Sequence, residues 1–331
     1  MLRSLVVLTV ISMAALSHSQ ELPAIAKHER WVTTAAFAPQ GDLLATVGGE
    51  SLQFRPGDVK LWNYKSGELI ASLDGGHPTN VWSAAWSADA KTLVTTGYDG
   101  KVVVWSVDEK KPLATLTNHK GWCRAVAFSP DGKHFATGGE DGTVIVWEAG
   151  GPKELKSFKA HESAVYGLAF SPDGATLGTA SIDKLAKLWD WNAGTEKAKL
   201  EGHPDAVWTI KFSGDGNRIA TAGADRKIKI WDAAGKEQFQ LDGHKDWVSS
   251  VAFHSNNTLL ASASHDRSVK LWDLNEKKEV ASLGPYQSSV WSVAFSPDGA
   301  TLATGAHKDG VRLWNVAEKT EIFPRPVAEK K

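Results

Sequence analysis

The sequence predicts an all-β protein built as a ring of seven blades, each blade a sheet of four antiparallel strands. Two observations carry this prediction. A unit of about 42 residues recurs seven times, and each unit holds four short strand-like segments. No apolar period of about 3.6 residues, which would indicate helices, persists after the first nineteen residues. Because a four-stranded sheet cannot cover its own faces, such units stack around a common axis.

Tryptophan marks the repeat, with one residue near the end of each unit at spacings of 41 to 43 residues. These residues are Trp62, Trp105, Trp147, Trp189, Trp231, Trp272 and Trp314. A histidine, or tyrosine in the last unit, stands 28 residues before six of them: His77, His119, His161, His203, His244 and Tyr286. In the first unit His28 precedes the tryptophan by 34 residues, which indicates a six-residue insertion.

The strands of a unit follow in order. The segment from Val290 to Ala306 predicts two strands of small, β-branched and aromatic residues around a Ser-Pro-Asp-Gly turn. The segment from Thr143 to Trp147 is the third strand of its unit. The segment from Lys153 to His161 is a fourth strand, and its polar character predicts an outermost position.

The ends of the units resemble the WD40 repeat family, in which Gly-His opens and Trp-Asp closes a unit of about 40 residues. Gly-His stands at Gly202-His203 and Gly243-His244. Trp-Asp stands at Trp189-Asp190, Trp231-Asp232 and Trp272-Asp273. The resemblance covers residues 21–318 and implies a seven-bladed β-propeller.

The resemblance also suggests how the ring closes. Residues 21–27 match the outer-strand segments, so we expect them to form the outer strand of the last blade. The competing segment from Glu318 to Phe323 is cut short by Pro324 and Pro326. The propeller is therefore expected to span residues 20–318, with a C-terminal tail of residues 319–331.

Residues of catalytic type recur in unit after unit. His203, Thr221 and Asp225 are the types used in nucleophilic catalysis, but a catalytic set is needed only once, so a repeated set is structural. The resemblance implies that they join the tryptophan in a hydrogen-bond network within each blade. The predicted network residues are His77, Thr95, Asp99, Trp105, His119, Thr137, Asp141, Trp147, His161, Thr179, Asp183, Trp189, His203, Thr221, Asp225, Trp231, His244, Ser262, Asp266 and Trp272.

Two units lack the full set, and both flank the expected closure. The last unit has Tyr286 for the histidine and Lys308 for the aspartate, with Asp309 one place later. The first unit has Pro56 at the aspartate position. Terminal repeats are often atypical in this way.

Composition and motifs argue against several classes of function. The 331 residues carry a formal net charge of −1 without a large basic cluster, which argues against nucleic-acid binding. The single cysteine, Cys123, cannot form an internal disulfide. Because no metal-ligand spacing, phosphate loop or nucleophile elbow occurs, we predict no metal, no cofactor and no catalytic residue.

The first nineteen residues are typical of a secretory signal peptide. A 12-residue apolar run, Leu5 to Leu16, follows one basic residue and precedes small residues at Ser17 and Ser19. The run is too short for an uncleaved anchor, which needs about 20 apolar residues. We expect cleavage after Ser19, no membrane span in the mature chain, and a periplasmic or secreted protein that is monomeric by itself.

Aromatic residues that the repeat does not require are the candidate binding site. They begin the innermost strand of each blade, three or five residues after the unit's histidine or tyrosine: Trp31, Trp82, Trp122, Tyr166, Trp208, Trp247 and Trp291. Positions three and five share a side of a strand, so these rings are expected to form a collar at the mouth of the central channel. The alternative is that they only pack on neighbouring blades.

Three further residues are candidate ligand contacts. Arg124, two residues after Trp122, is expected to pair with a carboxylate. Phe54 and Arg55 lie in the insertion of the first unit, Gly48 to Gly57, which joins the second and third strands. By family topology this loop shares a face with the collar, although a surface loop without function is the other reading.

The sequence favours a non-catalytic scaffold that binds an extended segment of a partner protein at the collar. A propeller enzyme with its site on one face is an alternative, but it requires a non-repeated acid, base or metal cluster. A carbohydrate-binding module is another alternative, because it would also use a ring of tryptophans.

Overall fold

The computed structural model describes residues 23–27, 30–50 and 55–324. The expected signal peptide, His28 and Phe54 lie outside the described residues. The described part of the chain forms 28 strands and a short 3-10 helix, Ala24–Lys27. It confirms the predicted architecture of seven blades with four antiparallel strands each.

Each blade uses four consecutive strands, so the sheets follow one another along the chain. Blade 1 contains β1 (Trp31–Phe37), β2 (Leu43–Gly49), β3 (Asp58–Asn63) and β4 (Glu68–Ser72). Blade 2 contains β5 (Val81–Trp86), β6 (Thr92–Gly97), β7 (Val102–Ser106) and β8 (Lys111–Leu116). Blade 3 contains β9 (Cys123–Phe128), β10 (His134–Gly139), β11 (Thr143–Glu148) and β12 (Lys153–Lys159). Blade 4 contains β13 (Val165–Phe170), β14 (Leu177–Ser181), β15 (Ala186–Asp190) and β16 (Thr195–Leu200).

The remaining three blades repeat this order. Blade 5 contains β17 (Val207–Phe212), β18 (Arg218–Gly223), β19 (Ile228–Asp232) and β20 (Glu237–Leu241). Blade 6 contains β21 (Val248–Phe253), β22 (Leu259–Ser264), β23 (Val269–Asp273) and β24 (Lys278–Leu283). Blade 7 contains β25 (Val290–Phe295), β26 (Thr301–Ala306), β27 (Gly310–Asn315) and β28 (Thr320–Glu321). The first strand of each blade contacts the first strand of the next, including β25 with β1, so the ring is closed.

The core lies between blades. One cluster joins Ala136 and Val144 of blade 3 to Val165 and Leu168 of blade 4, and similar clusters lie at the other junctions. The second and third strands are mostly buried, whereas the fourth strands are mostly exposed. Neighbouring blades therefore supply the apolar cover that a single sheet lacks.

The expected N-terminal outer strand is wrong. Residues 24–27 form the 3-10 helix, and β28 provides the fourth strand of blade 7, pairing Thr320 with Asn315 and Glu321 with Trp314. The propeller therefore extends into the segment expected to be a tail. The helix lies instead across the seam between blades 1 and 7, where Ile25 is 1% exposed.

Local chemistry explains this arrangement. Pro23 has no N–H for a strand ladder, whereas the Ile25 amide donates to the Gly67 carbonyl of blade 1 at 2.9 Å. The Ile25 side chain packs in a cluster with Trp62 of blade 1 and Leu313 of blade 7. Pro324 follows closely after β28, which is only two residues long. The N-terminal segment therefore stabilises the seam through its apolar side chain and not through strand pairing.

The structure brings the predicted network residues together in blades 2 to 6. In blade 5, Trp231 Nε1 donates to Thr221 Oγ1 at 2.8 Å, and His203 contacts Thr221 Oγ1 at 2.7 Å and Asp225 Oδ2 at 2.8 Å. An indole N–H can only donate, so the threonine hydroxyl donates to His203 Nε2 and the Nδ1–H donates to the carboxylate. The chain of hydrogen bonds thus runs in one direction from tryptophan to aspartate.

The other four networks have the same form. The distance from tryptophan Nε1 to the hydroxyl is 2.8–3.0 Å, and the distance from the hydroxyl to histidine Nε2 is 2.6–2.8 Å. The histidine Nδ1 hydrogen-bonds the aspartate in blades 2, 4 and 6. Blade 3 is looser, because His119 Nδ1 lies 3.7 Å from Asp141. In each of these blades the network ties the segment before the first strand to the second and third strands.

In blade 7, Tyr286 takes the place of the histidine in the hydrogen-bond network. Trp314 Nε1 donates to the Tyr286 hydroxyl at 2.9 Å, which lies 2.8 Å from Thr304 Oγ1. Thr304 Oγ1 in turn donates to the Arg312 carbonyl at 3.2 Å, so the chain ends on the backbone without a carboxylate. Burial raises the pKa of Tyr286, which keeps the phenol neutral. In blade 1, Trp62 Nε1 donates to Thr46 Oγ1 at 2.8 Å.

Truncating Ile25 tests the seam. We expect Ile25→Ala to lower the free energy of unfolding by about 2–4 kcal/mol, because most of a buried apolar side chain is lost and a cavity remains. Ile70→Ala is the matched control, since Ile70 is 37% exposed on β4 of blade 1, and it should change stability by less than about 0.5 kcal/mol. Urea denaturation followed by circular dichroism measures both values, and equal effects would contradict the role assigned to the helix.

Removing one hydroxyl tests the network. We expect Thr221→Val to cost about 2–4 kcal/mol, because Trp231 Nε1 and His203 Nε2 both lose their buried partner at nearly unchanged volume. Thr115→Val on exposed β8 is the control and should be close to neutral. The same urea titration checks this, and a loss below about 0.5 kcal/mol for Thr221→Val would show that the hydroxyl is dispensable.

The network carboxylates predict a pH dependence of stability. Burial alone would raise the pKa of Asp225, but the hydrogen bonds that it accepts from His203 and from the Lys227 amide bring that pKa below its usual range. Stability from Asp225 is therefore fully present above the unfolded-state pKa, about 3.9, and is lost as pH falls through the lower folded-state pKa. We expect the stability difference between the wild type and Asp225→Asn to be largest at neutral pH and to shrink below about pH 4. Urea titrations from pH 7 to pH 3 measure it, with exposed Asp108→Asn as the control; a constant difference over this range would refute the assignment.

Candidate functional site at the channel mouth

A β-bulge recurs at the same point of every innermost strand. In blade 2, Val81 pairs with Gly97 while Ser83 pairs with Thr96, so Trp82 is the extra residue. The extra residues of the seven blades form what we call the inner ring: Thr33, Trp82, Arg124, Tyr166, Trp208, Ser249 and Trp291. A bulge can re-aim a side chain, and all seven residues line the central channel, a cavity of about 530 Å³.

Arg124 occupies the centre of the inner ring. Its guanidinium carbon lies 3.8 Å from the ring centroid of Trp82, 4.4 Å from that of Tyr166, and 6.0 Å from those of Trp208 and Trp291. Burial lowers the pKa of Arg124 to about 10, so the side chain is still charged at neutral pH. Four aromatic rings thus surround one cation.

The inner ring is rich in unsatisfied donors. In the described part of the chain, the Arg124 guanidinium has neither a carboxylate nor a hydrogen-bond acceptor as partner. The indole Nε1 atoms of Trp82 and Trp208 are also buried without a hydrogen-bond partner there, as is His265 Nε2 nearby. Such groups are uncommon in folded proteins and call for an explanation.

The expected single collar of seven aromatic rings is not what the structure shows. Tyr166 and three tryptophans line the channel, whereas Trp31, Trp122 and Trp247, which we call the outer aromatics, do not. The bulge explains the difference, because it breaks the simple alternation that would put positions three and five on one side. Trp247 is the most exposed of the outer aromatics at 42%, and it contacts Trp208 with 5.0 Å between centroids.

Sequence reasoning missed three residues that support the aromatic rings. Trp122 stacks on Tyr98 at 4.9 Å, His265 lies 4.6 Å from Trp291, and Trp31 lies 4.1 Å from His307. Tyr98, His265 and His307 each directly follow the second strand of their blade, one residue before the aspartate position of the repeat. This shared position in the repeat is the sequence signal by which the three residues could have been found.

Small hydroxyl residues complete the inner ring and join blades. Thr33 Oγ1 donates to the Val81 carbonyl of blade 2 at 2.6 Å. Ser249 Oγ donates to the Val290 carbonyl of blade 7 at 2.7 Å. Where the bulged residue is not aromatic or cationic, it therefore hydrogen-bonds the next innermost strand and leaves space in the channel.

The insertion of blade 1 does not bring Arg55 to the inner ring. Arg55 forms an ion pair with Glu50 at 2.6 Å, and Glu50 also pairs with Arg30 at 2.8 Å. Arg55 does not line the central channel. The structure thus separates Arg55 from Arg124, although the sequence proposed both as ligand contacts.

Metal binding and membrane insertion have no counterpart among the described residues. No group of three His, Cys, Asp or Glu side chains lies close enough there to hold a metal ion. No helix in this part of the chain is long and apolar enough to span a membrane.

Two known propeller families match stretches of the chain. Residues 168–326 match the family described as IFT122 first beta-propeller. Residues 81–240 match the family described as echinoderm microtubule-associated protein second beta-propeller.

Curated relatives match over shorter stretches. WD repeat-containing protein 1 of Xenopus tropicalis is 29% identical over 93 residues, which are 28% of this chain and 14% of that protein. WD repeat-containing protein VIP3 of Arabidopsis thaliana is 36% identical over 95 residues, covering 25% and 28% of the two chains. A protein of Mus musculus that is named as a subunit of chromatin assembly factor 1 is 26% identical over 117 residues, covering 31% and 20%. The matched part is thus less than a third of the length of each of these relatives.

Proposed function

We propose that this chain, a WD40-type seven-bladed β-propeller, is a protein-interaction scaffold that binds an extended segment of a partner protein at the inner ring. One observation carries the proposal. Through the bulges, the side chains of Tyr166, three tryptophans and an arginine all line one channel. None of these five residues belongs to the repeated hydrogen-bond network. Tryptophan, tyrosine and arginine are the residue types enriched at binding hot spots.

The surroundings of these residues also support binding. The inner-ring tryptophans and Tyr166 are half-buried, so each ring is held by its neighbours and still offers some surface to a ligand. A ring that is already fixed loses little side-chain entropy on binding. The concave, partly apolar mouth therefore favours a narrow ligand, such as an extended segment, over a flat protein surface.

A non-catalytic role is part of the proposal. The repeated histidines, hydroxyls and aspartates of catalytic type hydrogen-bond one another and a tryptophan within the blade networks, which gives them a structural role. Two of the relatives are named as WD repeat proteins, and one is named as a subunit of chromatin assembly factor 1. Assembly with other proteins is the property that we transfer to this chain.

A location outside the cytoplasm completes the proposal. It depends on residues 1–19, whose basic start, short apolar run and small residues before position 20 are typical of a cleaved signal peptide. The protein is proposed to act there as a monomer, because a closed ring needs no second copy to cover its blades.

Peptide selection tests the binding surface. Peptides selected from a random display library on the full propeller should perturb the indole N–H resonances of Trp82, Trp208 and Trp291 in spectra of tryptophan-labelled protein. We expect Trp291→Ala to weaken their binding at least about tenfold, because a hot-spot ring contributes about 1.4 kcal/mol or more. Trp191→Ala is the matched control, since Trp191 is half-buried but does not line the channel.

Titration by fluorescence anisotropy measures the affinities, and thermal unfolding verifies that each variant is folded. Selected peptides that leave the inner-ring resonances unchanged, or that bind Trp291→Ala as tightly as the wild type, would place binding elsewhere on the propeller.

A further inference from the structure

We propose that the inner ring is a receptor for a carboxylate, and that the partner segment inserts an aspartate or glutamate side chain to pair with Arg124. This inference rests on the proposed function and specifies the chemistry of the partner. It is carried by the charges, the unsatisfied donors and the shape of the channel.

The charge of the channel lining is the first argument. The described residues that line the cavity include the cations Arg124 and Lys211 and no aspartate or glutamate. Lys211 lies three residues after Trp208 on β17, so it is roughly 10 Å deeper in the channel. An aqueous channel lined by one sign of charge attracts ligands of the opposite sign.

Four partly buried cations on third strands show the kind of pairing that Arg124 lacks. Lys187, Lys229, Lys270 and Arg312 are each paired with a glutamate on the adjacent outer strand. Within the described residues, Arg124 and Lys211 have no such partner. Buried charges are normally paired, so a carboxylate supplied by a ligand would give Arg124 the kind of partner that these four cations have.

Desolvation adds to this argument. Burial lowers the pKa of Lys211 as well as that of Arg124, although solvent reaches Lys211 from the channel. Arg124, which is half-buried, has therefore lost part of its hydration without gaining an ion pair, whereas the exposed Lys211 keeps more of its hydration. Binding an anion at Arg124 would offset that cost.

The aromatic contacts of Arg124 prepare it for a carboxylate. Its guanidinium carbon lies over the rings of Trp82 and Tyr166, and such contacts leave the N–H groups of an arginine able to donate hydrogen bonds. Two parallel N–H bonds to one carboxylate form the strong bidentate pair. Because the rings hold the guanidinium in place, little ordering is needed on binding.

The same arrangement excludes the opposite kind of ligand. A cage of aromatic rings commonly binds a ligand cation, but here Arg124 fills the cage itself. A lysine or arginine from a partner would meet a like charge in a site without a carboxylate. The unsatisfied groups beside Arg124 include the indole N–H donors of Trp82 and Trp208, which also call for an acceptor.

Two synthetic peptides test the inference on the full chain. Acetyl-hexaglutamate amide and acetyl-hexaglutamine amide have the same length and blocked ends, and differ in their carboxylates. We expect the glutamate peptide to bind the wild type at least ten times more tightly than the glutamine peptide, and to shift the indole resonances of Trp82 and Trp208. Equal binding of the two peptides would overturn the inference without any substitution in the protein.

Charge substitutions locate the effect. We expect Arg124→Gln to weaken the glutamate peptide at least tenfold, Arg124→Lys to have an intermediate effect, and Lys211→Gln to weaken it by a smaller factor. Arg226→Gln is the matched control, because Arg226 is an exposed arginine between β18 and β19 that does not line the channel. Loss of binding in Arg226→Gln equal to that in Arg124→Gln would mean non-specific attraction and would overturn the assignment.

A third arm uses inorganic phosphate alone. If phosphate binds the inner ring as tightly as the glutamate peptide, the site takes a free small anion and the assignment to a protein segment is wrong. Failure of this inference is distinguishable from failure of the proposed function. Neutral library peptides that contact the inner ring, with no preference for glutamate, would refute the carboxylate and leave the scaffold function intact.

Discussion

A four-stranded sheet with two apolar faces has no means of covering them itself, and this constraint governs the rest of the structure. Each blade places small and branched residues on both faces, and each junction between blades is a separate buried cluster. Closing the ring removes the last open face. The seam between blades 1 and 7 needs an extra element, and the helix around Ile25 supplies it.

Packing of this kind brings the innermost strands together around an axis, which explains why one channel collects residues that are far apart in the chain. The hydrogen-bond networks hold each blade in shape without using that surface. Blade 7 shows that the requirement is for a satisfied chain of donors and acceptors and not for particular residues, because Tyr286 and a backbone carbonyl replace histidine and aspartate there.

In each blade the bulge directs one side chain into the channel, while the rest of the blade keeps its repeated structure. The place of the bulge in the pairing register is the same in all seven, but its residue is free to vary, because the side chain enters the channel and not the core. Thr33 and Ser249 use the position to join blades, whereas Arg124 and the aromatic residues of the inner ring use it to present a cation and apolar surface. A repeated scaffold therefore carries a non-repeated site.

The sequence by itself determined the number of blades, the order of strands and the residues of the hydrogen-bond network. Those features depend on spacing inside one unit, and seven copies reveal that spacing clearly. It also marked Arg124 and the aromatic positions as candidates. Only the tertiary structure decided how the ring closes, because Ile25 gains its burial from two blades that stand at opposite ends of the chain.

The tertiary structure likewise decided which candidates belong together. The bulge, which the residue pattern of a single strand does not predict, divides the aromatic residues into the inner ring and the outer aromatics. The convergence of Trp82, Tyr166, Trp208 and Trp291 on Arg124 requires five different blades to face one axis. Periodicity within a unit is local and can be predicted from the chain, whereas contacts between units exist only once the ring has formed.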